Sequence, residues 1–279
     1  MPHRHQLNSV VLAELTSLAL CRDGFSVKPV LKAGAVNTSY CLTTPSGRFF
    51  MKMFESDRVN QLDRQQLFDI QKAVWQKGMA CEPVYLSTVA GFQLDAWVQS
   101  HTLENSTLRE DVKAHQLADA LHRIHSLDIE GHRLNLPAQW AGYLSQLPQQ
   151  QYWKEREEAR ELASIWSATP AYDLVFCHND LSFQHVTADQ SNVIFDWEYC
   201  ALSNRYFDLA ACIEVNNLNY DVQTCLLTRY AQRTQLPFSL VLQKTTEMLP
   251  LVNLTSRLWY AVAEKITASQ CHTVDNISD

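Results

Sequence analysis

The segment Phe176-Cys177-His178-Asn179-Asp180-Leu181 is followed, sixteen residues after Asp180, by Asp196-Trp197-Glu198-Tyr199. Residues 174–177 and 192–195 are short apolar runs, and each delivers an acidic side chain just past its end. The spacing predicts two neighbouring strands with a carboxylate at each mouth. Such a pair suits phosphoryl transfer, in which one carboxylate orients and deprotonates a hydroxyl while the other holds the Mg²⁺ that bridges nucleotide phosphates.

Around this centre the chain is mainly helical. Residues 108–127 form an amphipathic helix with Leu117, Leu121 and Ile124 on one side, and the Glu-, Arg- and Gln-rich residues 150–166 form another. From Leu209 onward helices are expected, interrupted near Leu236-Pro237 and Leu249-Pro250, with a polar, frayed tail from His272.

Toward the N-terminus the pattern changes. After an amphipathic helix over residues 7–20, β-branched and aromatic residues alternate over 26–54 around two breaks, 32–35 and 44–47, as expected for three antiparallel strands. Residues 58–77 read as a helix ending at Gly78. Strands over 84–86 and 92–98 complete a five-stranded sheet with one helix, and polar residues 99–102 read as a connector.

Composition narrows the classes further. The chain has 279 residues, 46% of them hydrophobic, enough for a substantial core, and a formal net charge of -7 with no basic block argues against a nucleic-acid binder. The polar start does not resemble a secretory signal, and no run approaches the ~18 apolar residues of a membrane span, so a soluble, cytoplasmic protein is expected. Eight cysteines without a C-x-x-C pair and ten histidines without H-E-x-x-H indicate no structural transition metal.

Together these segments resemble the aminoglycoside phosphotransferase and choline kinase superfamily, distant relatives of the protein kinases. His178 and Asp180 match the His-x-Asp-x-x-x-x-Asn pattern, and Asp196 to Tyr199 match the family's Asp-Trp-Glu-Tyr segment. Asn204, Arg205, Phe207 and Asp208 extend the likeness toward the choline kinase branch. The resemblance implies an α+β, two-lobed protein-kinase-like fold, with a nucleotide-binding lobe over 1–98 and a catalytic, substrate-binding lobe over 99–279. It makes Asp180 the catalytic base, Asp196 the principal Mg²⁺ ligand, His178 a loop brace and Asp208 a loop anchor.

The family's second metal-ligating Asn falls on His185, and a neutral imidazole suits Mg²⁺ poorly. A metal role for His185, a single-metal site, an amide oxygen lent by Gln184, reduced activity, and an ordinary loop histidine all remain open. For ATP, the hairpin 34–39, with Gly34, Asn37 and Thr38, is placed to offer N–H groups to phosphates, and Lys52 takes the position of the phosphate-binding lysine. The helix glutamate that normally pairs with that lysine is missing; Asp63 and Asp69 are weaker candidates. Residues 117–125, ending in Leu121-His122-Arg123-Ile124-His125, resemble the family's helix ending in Leu-x-x-Leu-His, and His125 reads as a buried structural histidine.

A small cationic alcohol needs carboxylates and aromatic faces, and Glu198, Tyr220 and Trp259 are candidates, with core packing an equal reading for Trp259. The expected activity is ATP-dependent phosphorylation of choline, ethanolamine or a similar amino alcohol. The competitors are thiamine phosphorylation, a nucleotide-binding pseudokinase or regulatory module, and a structural interaction protein.

Overall fold

Alternating burial along residues 39–53 is what builds the first part of the molecule: Tyr40, Leu42 and Met51 point to one face, and their neighbours to the other. The computed structural model describes residues 7–30, 37–60, 62–189 and 191–275, which fall into two compact units, Met1–Gln99 and Ser100–Asp279.

In the first unit, five antiparallel strands run in the order β1-β2-β3-β5-β4: β1 (Ser26–Pro29), β2 (Ser39–Thr44), β3 (Gly47–Met53), β4 (Pro83–Leu86) and β5 (Phe92–Ala96). Helix α1 (Ser9–Ser17), capped by the Asn8 side chain, packs Val11 and Leu15 against Tyr40, Leu42, Met51, Phe92 and Leu94 on one face of the sheet.

Helix α2 (Arg64–Gln76) belongs to the other side, where Lys52, Gln93 and Asp95 point. It begins later than the expected residue 58. The Asp63 carboxylate accepts the Gln66 N–H and fixes the start, while Glu55–Arg58 makes a separate 3-10 turn. Its end is as expected: Gly78, at φ 73°, takes the left-handed position that a Cβ would penalise.

The second unit holds α3 (Glu110–His125), α4 (Leu136–Gln146), α5 (Trp153–Ser167), α6 (Arg205–Val215), α7 (Tyr220–Thr234) and α8 (Phe238–Asp275), with a two-stranded antiparallel sheet of β6 (Leu174–Cys177) and β7 (Ala201–Asn204). Residues 192–195 are therefore not the partner strand. Ile194 makes an isolated bridge to Val186, because left-handed Asn192 (φ 50°) and Asp196 (φ 62°) end any extended run on both sides.

Two other sequence expectations are corrected. Helix α8 continues through Pro250, where buried Met248, Leu251, Val252, Leu254, Leu258 and Val262 supply packing that outweighs the lost backbone hydrogen bond. It also runs to Asp275, beyond the start of the expected frayed tail. Helix α4 was not anticipated; Asn135 caps it, and its buried Trp140 donates to Thr255 of α8 at 2.8 Å. Among the described residues no helix is long and apolar enough to cross a membrane.

Helices α3 and α7 are clamped by Asp119, whose two oxygens accept bidentate bonds from Arg229 (2.8 and 2.9 Å) and Arg233 (2.7 and 3.0 Å). Partial burial works against the carboxylate, but the two guanidinium groups prevail and hold it down at about 2, from an ordinary 3.8. A depressed carboxylate stabilises the fold above its unfolded pKa, and that contribution is lost as pH falls from about 4 to about 2. Asp119→Asn should therefore remove about 1–2 kcal/mol at neutral pH, after allowance for solvent screening. Denaturant titrations at pH 7 and at pH 2.5 check this: the gap between wild type and variant narrows at the lower pH, and a constant gap would reject it.

Candidate active site

The loop carrying Asp180 is fixed from beneath by a buried carboxylate. Asn204 caps α6 by accepting the Tyr206 N–H, which places Asp208 in the first turn of that helix. Asp208, fully buried, accepts the His178 N–H at 3.0 Å and the Asn179 N–H at 2.7 Å. Its Oδ2 also lies 2.9 Å from His125 Nε2, and His125 Nδ1 lies 2.7 Å from the Tyr230 hydroxyl. Burial opposes the Asp208 charge, but the His125 bond and the neighbouring His178 more than offset it, keeping its pKa below the usual carboxylate range. Burial pushes the Tyr230 hydroxyl up, so it remains protonated.

Asn179 adopts the left-handed conformation, at φ 64°, which asparagine tolerates better than most residues. Its side-chain amide donates to the Tyr199 carbonyl at 2.9 Å, tying the two acidic loops together. Asn216 at the end of α6 clamps the next stretch by accepting from Phe183 N and donating to Leu181 O.

Two histidines make further ties between the loops. His178 Nδ1 accepts the Asp180 N–H at 3.3 Å, so Nε2 carries the proton and donates to the Phe195 carbonyl at 2.9 Å. Both ring nitrogens are thus used in the neutral form. Burial first, then the neighbouring His185, lowers the His178 pKa to about 4. Trp197 packs on the same ring at 5.0 Å and donates its indole N–H to the Ile194 carbonyl.

His185 stacks on His178 with ring centres 5.7 Å apart. Its Nδ1 donates to the Asp180 carbonyl at 2.8 Å, while its Nε2 lies 3.7 Å from Asp196 Oδ2. Between them, the backbone N–H of Phe195 donates to the His185 carbonyl at 2.8 Å. A carboxylate beside an imidazole nitrogen is a pair of donors of the kind that hold divalent transition ions.

The structure thus brings Asp180, His178, Asp196 and His185 into one network. Glu198 lies half-buried on the loop of Asp196. The adjoining Tyr199 has its hydroxyl pushed up by burial, then by the charges of Glu198, Asp180 and Asp196, with Tyr143 of α4 in the same surroundings. Sequence reasoning missed Tyr143; the signal was Asn135 with Pro137 two residues on, a cap followed by a proline suited to a first turn. Tyr220 opens α7 and is 77% exposed. Trp259 is half-buried on α8, edge-on to Tyr260 at 5.1 Å.

In the first unit, Gly34 lies outside the described residues. Thr38 donates both its N–H and its hydroxyl to Glu55, each at 2.8 Å, and Asn37 precedes it. Lys52 stands opposite Gln93 in the β3–β5 register, so the two share a face. That face meets α2 through Gln71, which, like Gln93, donates to the buried Asp95 carboxylate at 2.8 and 2.7 Å respectively. Asp63, the α2 cap, and Asp69, bonded to Gln65, are exposed, whereas Asp95 is buried on the Lys52 face; the signal for it is an acidic residue inside an apolar strand.

A family model described as phosphotransferase enzyme family matches residues 29–239. Protein LicA of Haemophilus influenzae is 22% identical over 209 residues, spanning 72% of this chain and 62% of its own length, so the chain spans less than two thirds of that relative. Among solved structures, choline kinase LicA from Streptococcus pneumoniae superposes with a TM-score of 0.71 at 18% identity, covering 92% of this chain and 90% of that one. Macrolide 2'-phosphotransferase MphH from Brachybacterium faecium gives a TM-score of 0.56 at 17% identity, covering 91% and 92%. The fold of a five-stranded antiparallel sheet followed by a mostly helical part is common to these kinase-like neighbours.

Proposed function

The chain belongs to the phosphotransferase enzyme family, and we propose that it moves the γ-phosphoryl group of ATP to the hydroxyl of a small cationic alcohol of the choline or ethanolamine kind. The observation that carries this reading is that His178 and His185 each contact both acidic loops, tying the Asp180 main chain to the Asp196 loop, while the charges of both Asp180 and Asp196 act on the Tyr199 hydroxyl.

On this reading Asp180 accepts the proton of the acceptor hydroxyl as the oxygen attacks phosphorus. His178 stays neutral and keeps the loop in register. Asp196 and His185 would hold a divalent cation, which when bound neutralises charge on the phosphates. The N-terminal unit would contact the nucleotide through Lys52 and Asn37, whereas Thr38 commits its N–H and hydroxyl to Glu55, and the C-terminal unit would supply the catalytic and acceptor-binding groups. Two features support a cationic acceptor: Glu198 and Tyr199 stand directly after Asp196 and Trp197, and a solved choline kinase shares the fold. Tyr220 and Trp259 are the further aromatic candidates.

The test is ATP turnover, with Mg²⁺ and separately with Mn²⁺, across choline, ethanolamine, thiamine, an aminoglycoside and a macrolide. Choline or ethanolamine should give the highest kcat/KM. Preference for thiamine or for an antibiotic would replace the acceptor assignment, and nucleotide binding without turnover of any alcohol would indicate a regulatory module.

A further inference from the structure

We propose that His185 is a nitrogen ligand to the catalytic cation and that, with Asp196, it tunes the site toward a borderline divalent ion such as Mn²⁺ or Co²⁺ over Mg²⁺. The inference rests on the phosphotransferase reading above and concerns which ion that site selects.

The argument begins with the ring's protons. A backbone carbonyl can only accept, so the 2.8 Å contact between His185 Nδ1 and Asp180 O requires the proton on Nδ1. In the neutral imidazole Nε2 then carries a lone pair, and this is the nitrogen that faces Asp196 Oδ2 at 3.7 Å. Metal–nitrogen and metal–oxygen bonds of about 2.1 Å place two ligand atoms about 3.0–3.6 Å apart for angles between about 90° and 120°. The observed gap therefore requires almost no movement for the pair to share one ion.

The bond to Asp180 O also does what a carbonyl commonly does for metal-bound histidine: it fixes the ring's orientation and tautomer and raises the basicity of the other nitrogen. The stacked His178 ring and the Phe195 N–H to His185 O bond hold the residue from two further directions. A nitrogen donor lowers the preference for Mg²⁺, which favours oxygen, and raises affinity for first-row transition ions in the order Mn²⁺ below Co²⁺.

The experiment uses the full chain with ATP and Mn²⁺, and pulsed electron paramagnetic resonance on protein labelled with ¹⁵N-histidine. Coupling from one histidine nitrogen should appear in the wild type and vanish in His185→Asn and His185→Gln. In parallel, the Mn²⁺ over Mg²⁺ affinity ratio, measured by titration in the presence of ATP, should fall about ten- to hundredfold in His185→Asn. Thermal midpoints establish that both variants fold. Mn²⁺ bound with ATP but without histidine coupling, or an unchanged affinity ratio, overturns this proposal and leaves phosphoryl transfer standing. Absence of any ATP-dependent cation binding overturns both.

Discussion

Asp180→Asn should lower kcat by about a hundred- to ten-thousandfold, the scale of general-base catalysis, while nucleotide affinity changes little. Asp180 is held through its main chain: its N–H donates to His178 Nδ1 and its carbonyl accepts from His185 Nδ1. An asparagine keeps both bonds and the side-chain volume, and removes the ability to take a proton at neutral pH. Steady-state kinetics with the preferred acceptor, alongside nucleotide titration, measure the two quantities separately. A variant turning over within tenfold of wild type would remove Asp180 from the role of base.

Asp196→Ala should abolish cation-dependent turnover, with at least a hundredfold loss that excess metal does not restore. The side chain places a carboxylate beside His185 Nε2, and its removal would take away the charged member of that pair. Alanine also pays a backbone penalty at this position. Asp196 is left-handed at φ 62°, and an ordinary side chain there costs about 1–2 kcal/mol. Asp196→Asn is the necessary companion, since asparagine tolerates that conformation and loses only the charge. Both variants should show weakened metal dependence in turnover and in nucleotide binding. If Asp196→Asn responds to cation concentration as wild type does, the metal assignment fails.

Much of this architecture could be read from residue order. Alternation over residues 39–53 announced the sheet, and the periodic apolar residues of α3 announced its buried side, with Leu117, Leu121 and Ile124 all at 0% exposure. The acidic loops stood out because each follows an apolar run, though only β6 proved to be a sheet strand. What stayed hidden depends on tertiary contacts. β7, with the sequence ALSN, is too short and too polar to announce itself, yet it supplies every pairing partner of β6. Pro250 signalled a break that packing on both sides suppressed. The His185 tautomer is set by a carbonyl five residues earlier, and Asp95 meets Gln71 only when strand and helix are brought together.

Tyr230, His125 and Asp208 form a series of side chains that runs from α7 through α3 to two peptide N–H groups of the Asp180 loop. The Asp180 loop thus takes its alignment from the way two helices lie together, a seam also fastened by Asp119. A substitution in the α3–α7 seam, at a position bearing no reactive group, would thus reach the Asp180 loop through this series.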